Sequence, residues 1–354
     1  MKGVNPADAY RVLKTLTDVW DAASERMLTT VTRRLARGVT EPGWAENKSR
    51  EVLLVRAELR GIVEQHLAAG LEDRATAALE EAYGIGAKVA ERLDQTSIET
   101  DVSRVVRLAA MFVQRLRGTF VPVTRSHEDV FTRAIGDTEL LMQTGTIVRR
   151  EAVAEAVDRL ITSGVDRFRA EDGKQWHLDS YVRMAGRTMA QQAAVEGQLD
   201  GMVARGRDLI VVSDSARECA LCRPWEGKLL SITGASVGEV IDGHEVESTV
   251  ALARAAGLWH PNCTHRGDMF TPGLTLISEP QENPAGYAEA QNLRRMERHM
   301  RQLKRQLAAV QQLGDTQAAR RLRQRIRAYG HRIEEYATAT GQNRRRERER
   351  PVGG

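Results

Sequence analysis

Apolar positions in the first third of the chain recur at spacings of three and four, the mark of helices with one buried face. Asn5 suits an N-cap and Pro6 a first helical position; Leu13, Leu16, Trp20, Ala23, Met27, Val31 and Leu35 then share a face as far as Gly38. A second helix is expected from about Ala45 to Ala69, burying Val52, Val55, Leu59, Ile62 and Val63 before Gly70. A third should cover Leu71 to Leu93, broken or bent at Gly84 and Gly86. A fourth starts near Ser97, where Ile98, Val102, Val105, Ala109, Phe112 and Leu116 repeat, and stops at Gly118. Four such helices joined by short turns read as a bundle over residues 1–120. Proline placement agrees, because stretches of 79 residues (Pro42 to Pro122) and 101 residues (Pro122 to Pro224) contain no helix breaker.

Thr119 to Thr124 reads as a linker opening a helical connector over 121–175, with helices near His127–Met142 and Thr146–Ser163. A long helix follows from about Asp179 to Arg205, marked by Tyr181, Met184, Met189, Ala193, Leu199 and Met202 and ended by Gly206. The texture then changes. Residues 208–213 (DLIVVS) and 228–232 (KLLSI) read as short strands, and Gly and Pro are frequent as far as Pro284. Past Tyr287 a heptad-like seam runs through Leu293, Met296, Met300, Leu303, Leu307 and Val310. Gly314-Asp315 interrupts it, and Leu322, Ile326, Tyr329, Ile333 and Tyr336 resume it. The expected fold is therefore mainly α: the N-terminal bundle, the connector, a small α+β module over 176–284, a basic helical hairpin over 285–340 and a disordered basic tail over 341–354.

Composition narrows this picture. Aromatic residues make up 5% and charged residues 28% of 354, which argues against a dense β-sandwich. No apolar run approaches the roughly 18 residues of a membrane-spanning helix, and the N-terminus has no signal-peptide core. Three cysteines are too few and odd in number for a disulfide framework, so a reducing compartment is expected. The net charge of +4 hides an asymmetry: residues 287–354 hold 17 Lys/Arg against 7 Asp/Glu, leaving the rest of the chain acidic. Arg294, Arg295, Arg298, Arg301, Lys304, Arg305, Arg320, Arg321, Arg323, Arg325, Arg327, Arg344, Arg345 and Arg346 are the candidate nucleic-acid contacts. Guanidinium groups suit phosphates and carboxylates alike, and a merely solvated face is the plain alternative.

All three cysteines fall in one module: Cys219-x2-Cys222, then His260-Pro-Asn-Cys263-Thr-His265 after 37 residues. Two small loops of this kind can present a tetrahedral Cys3His set to zinc, with Cys219, Cys222, His260 and Cys263 as the ligands and His265 as an outer or substitute ligand. The intervening segment has room for a hairpin and a helix near Glu245–Ala256. A closed set of four ligands is structural, since no position remains for water. Nothing in the chain matches the zinc-deaminase, zincin, nucleophile-elbow or phosphate-loop patterns, and Glu226 and Asp268 do not stand at the position of a base. Ser213, Asp214 and Ser215 read as turn or cap residues rather than catalytic ones. Tyr83-Gly-Ile-Gly-Ala-Lys-Val-Ala90 looks like a helix-hairpin-helix signature for DNA phosphates, against a plainer reading as a relaxed turn in the bundle.

Three segments carry a family resemblance: Trp176 to Thr188 leading the long helix, Val212 to Cys222 with Pro224-Trp-Glu-Gly-Lys228 and Ser231, and Gly257-Leu-Trp-His-Pro-Asn-Cys-Thr-His265. In this order they resemble the Mu F-like head morphogenesis proteins of tailed phages, in the branch called phage minor capsid protein 2. The likeness is strong over about Trp176–Gly273 and looser elsewhere. It implies a structural, non-enzymatic virion protein that associates with the portal inside the head and contacts double-stranded DNA or the major capsid protein, assembled in the host cytoplasm and not in a membrane. The runner-up is a cytoplasmic zinc-containing nucleic-acid-binding protein, and an enzyme comes third. Thr264 stands where the family commonly has a basic residue, so no phosphate contact is carried over there.

Overall fold

The computed structural model describes residues 2–92, 100–143, 147–163, 167–170, 173–216, 219–261 and 263–350. The expected third-helix end at Leu93, the fourth-helix start at Ser97 and Ile98, the Thr146 helix start and motif residues Arg217, Glu218 and Asn262 lie outside them. The chain begins with helices α1 (Pro6–Val12), α2 (Lys14–Ala36), α3 (Trp44–Arg50), α4 (Val52–Ile62), α5 (Leu71–Glu91) and α6 (Val102–Arg117). Helices α7 (Phe120–Met142) and α8 (Arg149–Ser163) follow, then strands β1 (Phe168–Arg169) and β2 (Gln175–Trp176) and helix α9 (Leu178–Val203). The loop-rich part holds β3 (Leu209–Val212), β4 (Leu229–Ser231), β5 (Val240–Ile241), β6 (His244–Thr249), α10 (Val250–Ala255) and β7 (Gly267–Met269). Two long helices, α11 (Pro284–Leu313) and α12 (Thr316–Ala339), come last. Among the described residues the molecule is mainly helical, as the periodicities predict, with a mixed sheet of five short strands and a separate antiparallel pair, β1–β2.

Several boundaries differ from the sequence expectation, each for a local reason. The first helix is interrupted at Leu13. The second is divided at Glu51 and ends in a π-helical turn over Val63–Ala68, before Gly70 takes a left-handed φ of 61°. Thr119–Thr124 is not a linker: α7 starts at Phe120 and holds Pro122 in its first turn, where a missing N–H leaves no bond unmade. The helix expected from Glu245 starts only at Val250, because residues 244–249 are spent on β6, with Val246 fully buried. Thr249 caps α10 by accepting from Leu252 N (3.0 Å).

The chain divides into two compact units that interleave along the sequence, residues 1–17, 70–115 and 183–290 in one and 18–69, 116–182 and 291–354 in the other. This division differs from the five consecutive segments drawn from sequence, and residues 1–120 contribute to both units. In the first unit α5 runs unbroken through Gly84 and Gly86. Gly86 is a point of helix contact rather than a bend: a Cβ there would lie 1.8 Å from the Ala194 carbonyl oxygen of α9. Gly197 meets Tyr83 O in the same way, at 2.1 Å. The helix-hairpin-helix reading of Tyr83–Ala90 is thereby replaced, since the helix runs straight through both glycines, Gly86 lets two backbones touch, and neither forms a phosphate-binding turn.

The five-stranded sheet of this unit has the order β5-β6-β4-β3-β7, with β4 and β6 parallel and the other neighbours antiparallel. One core joins Val195, Leu199 and Met202 of α9 to Ile210, Val212, Leu230, Val250, Leu258 and Met269, and all three cysteines belong to it. Leu209, Leu229, Val246 and Phe270 form a second, smaller cluster.

In the second unit Trp20 and Trp44 are buried, Trp44 Nε1 donating to Leu35 O (3.1 Å), and Arg56 of α4 pairs with Glu128 of α7. Helices α11 and α12 form the expected hairpin. Gly314 turns the chain at φ 74°, and Asp315 caps α12 by accepting from Ala318 N (2.9 Å). Leu293, Met300, Ile333 and Ala337 pack at one end of the seam, and Leu303, Val310, Ala319 and Leu322 at the other. The segment expected to be a disordered tail is placed as far as Arg350: Arg346–Glu349 makes a 3-10 turn, with Glu349 buried and held by Arg344.

Candidate metal centre and basic surface

The first cysteine loop is a tight turn in which Cys222 N and Arg223 N both donate to Cys219 O (3.1 and 2.9 Å), running into a 3-10 turn over Arg223–Trp225. Gly227, at φ 71°, then returns the chain to the sheet, its N donating to Val212 O (2.9 Å). The second loop leaves α10 through Gly257 (φ 111°) and Trp259 (φ 59°), and closes with Cys263 N on His260 O (3.0 Å). Pairing of β7 with β3 brings the two loops together. Ser213 Oγ accepts from Arg266 N (3.0 Å), Ser215 Oγ bonds Thr264 Oγ1 (2.8 Å), and Asp214 Oδ2 accepts from Gln281 N (3.4 Å). All three are engaged in contacts that tie neighbouring loops together.

The five sulfur and imidazole donors converge as two triads that share Cys222. Cys219, Cys222 and His260 form one, and Cys222, Cys263 and His265 the other, with donor atoms in each triad within 4.8 Å. His260 Nε2 is 2.7 Å from Cys219 Sγ, Cys222 Sγ is 3.5 Å from Cys263 Sγ, and Cys263 Sγ is 3.3 Å from His265 Nδ1. The inner triad is fully buried, while His260 is half-exposed. Hydrogen bonding from the Cys222 thiol holds Cys263 below the ordinary thiol range, and the same bond, with burial, pushes Cys222 up. Such a soft donor set can hold a metal ion of the zinc class.

Glu226, which the sequence reading set aside, is part of this cluster. It is 4% exposed and its Oε1 meets His265 Nε2. The available signal was its place four residues past Cys222, directly after Trp225 in the segment that follows the first cysteine pair. Asp268 is engaged elsewhere, accepting from Gly3 N (2.6 Å).

The basic positions of the second unit divide sharply. Between Thr316 and Ile333 α12 has no acidic residue, and Arg320, Arg321, Arg323, Arg325 and Arg327 are all exposed. So are Arg295, Arg298, Arg345 and Arg346. Arg301 is instead buried and donates to Ser180 Oγ (3.1 Å) and to the Arg348 carbonyl. Arg344 forks onto Glu349 (2.5 and 2.7 Å) and reaches Gly330 O and Glu334. Both are therefore internal struts rather than open phosphate contacts, and Arg294, Lys304 and Arg305 are half-buried. Among the described residues no helix is long and apolar enough to cross a membrane.

Comparison with known proteins agrees with the resemblance read from the cysteine module and extends it. The family model described as phage minor capsid protein 2 matches residues 4–338. A structural protein of Lactococcus phage LL-H is 20% identical over 217 residues, or 60% of this chain. The chain spans 57% of that protein's length. No solved structure matches the chain.

Proposed function

We propose a structural role at the portal vertex for this chain, which belongs to the phage minor capsid protein 2 family. In this reading it enters the virion as a minor head component, sits on the inner side of the capsid against the portal protein, and performs no reaction. The observation that carries it is the extent of the family match, which runs through both compact units, the cysteine cluster and the arginine-bearing hairpin. A zinc ion held by Cys219, Cys222, Cys263 and one histidine would fasten the two loops of a module too small to be secured by its own strands. The exposed arginines of α12 would meet the phosphates of packaged double-stranded DNA, with the major capsid protein as a further neighbour.

Two experiments test the reading. Full-length protein produced with the portal and major capsid proteins should co-purify with portal assemblies, and its absence from them would sink the placement. Because residues 1–120 contribute to both units, surface substitutions probe portal docking with less damage to the fold than deleting them would. DNA affinity should fall with salt at a slope of about −0.9 per phosphate contacted, and Arg320→Ala with Arg323→Ala and Arg327→Ala should flatten that slope. Salt-independent binding would remove DNA from the list of partners.

A further inference from the structure

Two polar side chains lie deep in the apolar module of the first unit, Glu226 at 4% and His265 at 2% exposure. Burying either alone is expensive, and each answers the other through Oε1 and Nε2. The consequence falls on the other side of the ring. An imidazole whose Nε2–H is given to a carboxylate has its lone pair on Nδ1, and the carboxylate makes that nitrogen a stronger donor. His265 Nδ1 is the atom that faces the sulfur atoms, 3.3 Å from Cys263 Sγ and inside the triad with Cys222. His260 is placed differently. It stands half-exposed at the rim, with Nδ1 2.9 Å from Pro261 O and Nε2 2.7 Å from Cys219 Sγ.

We propose that the fourth ligand beside Cys219, Cys222 and Cys263 is His265, bound through Nδ1, and that Glu226 is the positioning residue that orients it. His260 then stays outside the ligand set, at the rim beside the Cys219 sulfur. This assignment rests on the zinc reading above and reverses the order that loop size alone suggests for the two histidines. It also gives the glutamate of Trp225-Glu-Gly-Lys228 a task, because the turn at Gly227 is what brings Glu226 under the second cysteine loop.

The test uses full-length protein labelled with 15N at histidine and loaded with zinc. Long-range proton–nitrogen correlation identifies the metal-bound nitrogen of each ring. His265 should show a zinc-bound Nδ1 and a protonated Nε2 whose shift moves in Glu226→Gln, while His260 shows no bound nitrogen. In competition with a chromophoric chelator, Glu226→Gln should weaken zinc binding about 10–100-fold. His260→Ala should stay near the wild-type affinity. Zinc bound with His260 coordinated and His265 free overturns the assignment while leaving the metal reading intact. Protein that takes up no zinc overturns both. If Glu226→Gln does not fold, the wild-type spectrum decides alone.

Discussion

The strand module and the α11–α12 hairpin solve the same problem by opposite means. The strands of the module are two to six residues long, and the core they share with α9 takes in all three cysteines. Sheets this short bury too little to secure themselves, so cross-links do the fastening: Ser215 to Thr264, Ser213 to Arg266, and the sulfur–imidazole cluster between the loops. The hairpin has helices of 30 and 24 residues and repeats one apolar contact along its length, from Leu293–Ile333–Ala337 to Val310–Ala319–Leu322. Its stability is spread over many similar contacts, whereas that of the module is concentrated in a few unlike ones. The two should therefore fail under different treatments.

Metal removal should separate them most strongly. Structural zinc contributes on the order of 10 kcal/mol in small modules, so chelation or Cys222→Ser should release the module. Cys222 is the right target because it belongs to both triads. Near-ultraviolet circular dichroism from Trp225 and Trp259, which pack against the cysteine-containing core, should collapse while far-ultraviolet helix signal is largely kept. Loss of both signals together would show that the hairpin depends on the metal and would break the comparison. Ile333→Ala is the converse test. It removes a fully buried side chain from the seam and should lower stability by about 2–5 kcal/mol, with zinc stoichiometry unchanged by elemental analysis.

How much of this could be read from the sequence follows the same divide. The hairpin was legible almost to its turn, because heptad spacing, Gly314 and Asp315 are local signals. The cysteine cluster was legible as spacing. The partner of His265 was not, since Glu226 lies 39 residues away and no local pattern connects them. The interleaved units were hidden for a related reason: periodicity identifies a buried face and does not say which helix covers it. Gly84 and Gly86 show the ambiguity at its smallest. Both look like breakers, yet the helix passes through both, and only at Gly86 does another backbone occupy the space of a side chain.

That pair of glycines gives the next contrast. Gly86→Ala should destabilise by about 1–3 kcal/mol, because the α5 and α9 backbones must separate to admit a methyl group. Gly84→Ala meets nothing within 4 Å and lies inside a helix, so it should stabilise by about 0.5–1 kcal/mol. Thermal unfolding of the two variants should move in opposite directions. Equal shifts of one sign would mean that the contact, and with it the assignment of α9 to α5, is wrong.

A further effect of similar size concerns a polar contact in the unit that holds the hairpin. Glu51, at the junction of α3 and α4, accepts from the buried Lys48 ammonium (2.9 Å) and from Arg34 (3.2 Å). Burial alone would raise the Glu51 carboxyl, but these hydrogen bonds and the two positive charges outweigh it and hold it below the usual carboxylate range. The unfolded chain therefore binds that proton more readily than the folded one. The contribution is fully present above the unfolded carboxyl value, near pH 4.3, and is lost as pH falls through the lower folded value. Glu51→Gln should cost about 1 kcal/mol at pH 7, and the difference should shrink as pH falls below the unfolded carboxyl value. Melting both proteins in the presence of chelator removes metal release as a variable and leaves the helical unit as the transition observed. A difference that does not shrink on acidification down to the unfolding of the unit would show that the side chain acts through packing rather than charge, and that this unit, like the hairpin within it, owes little to polar fastening.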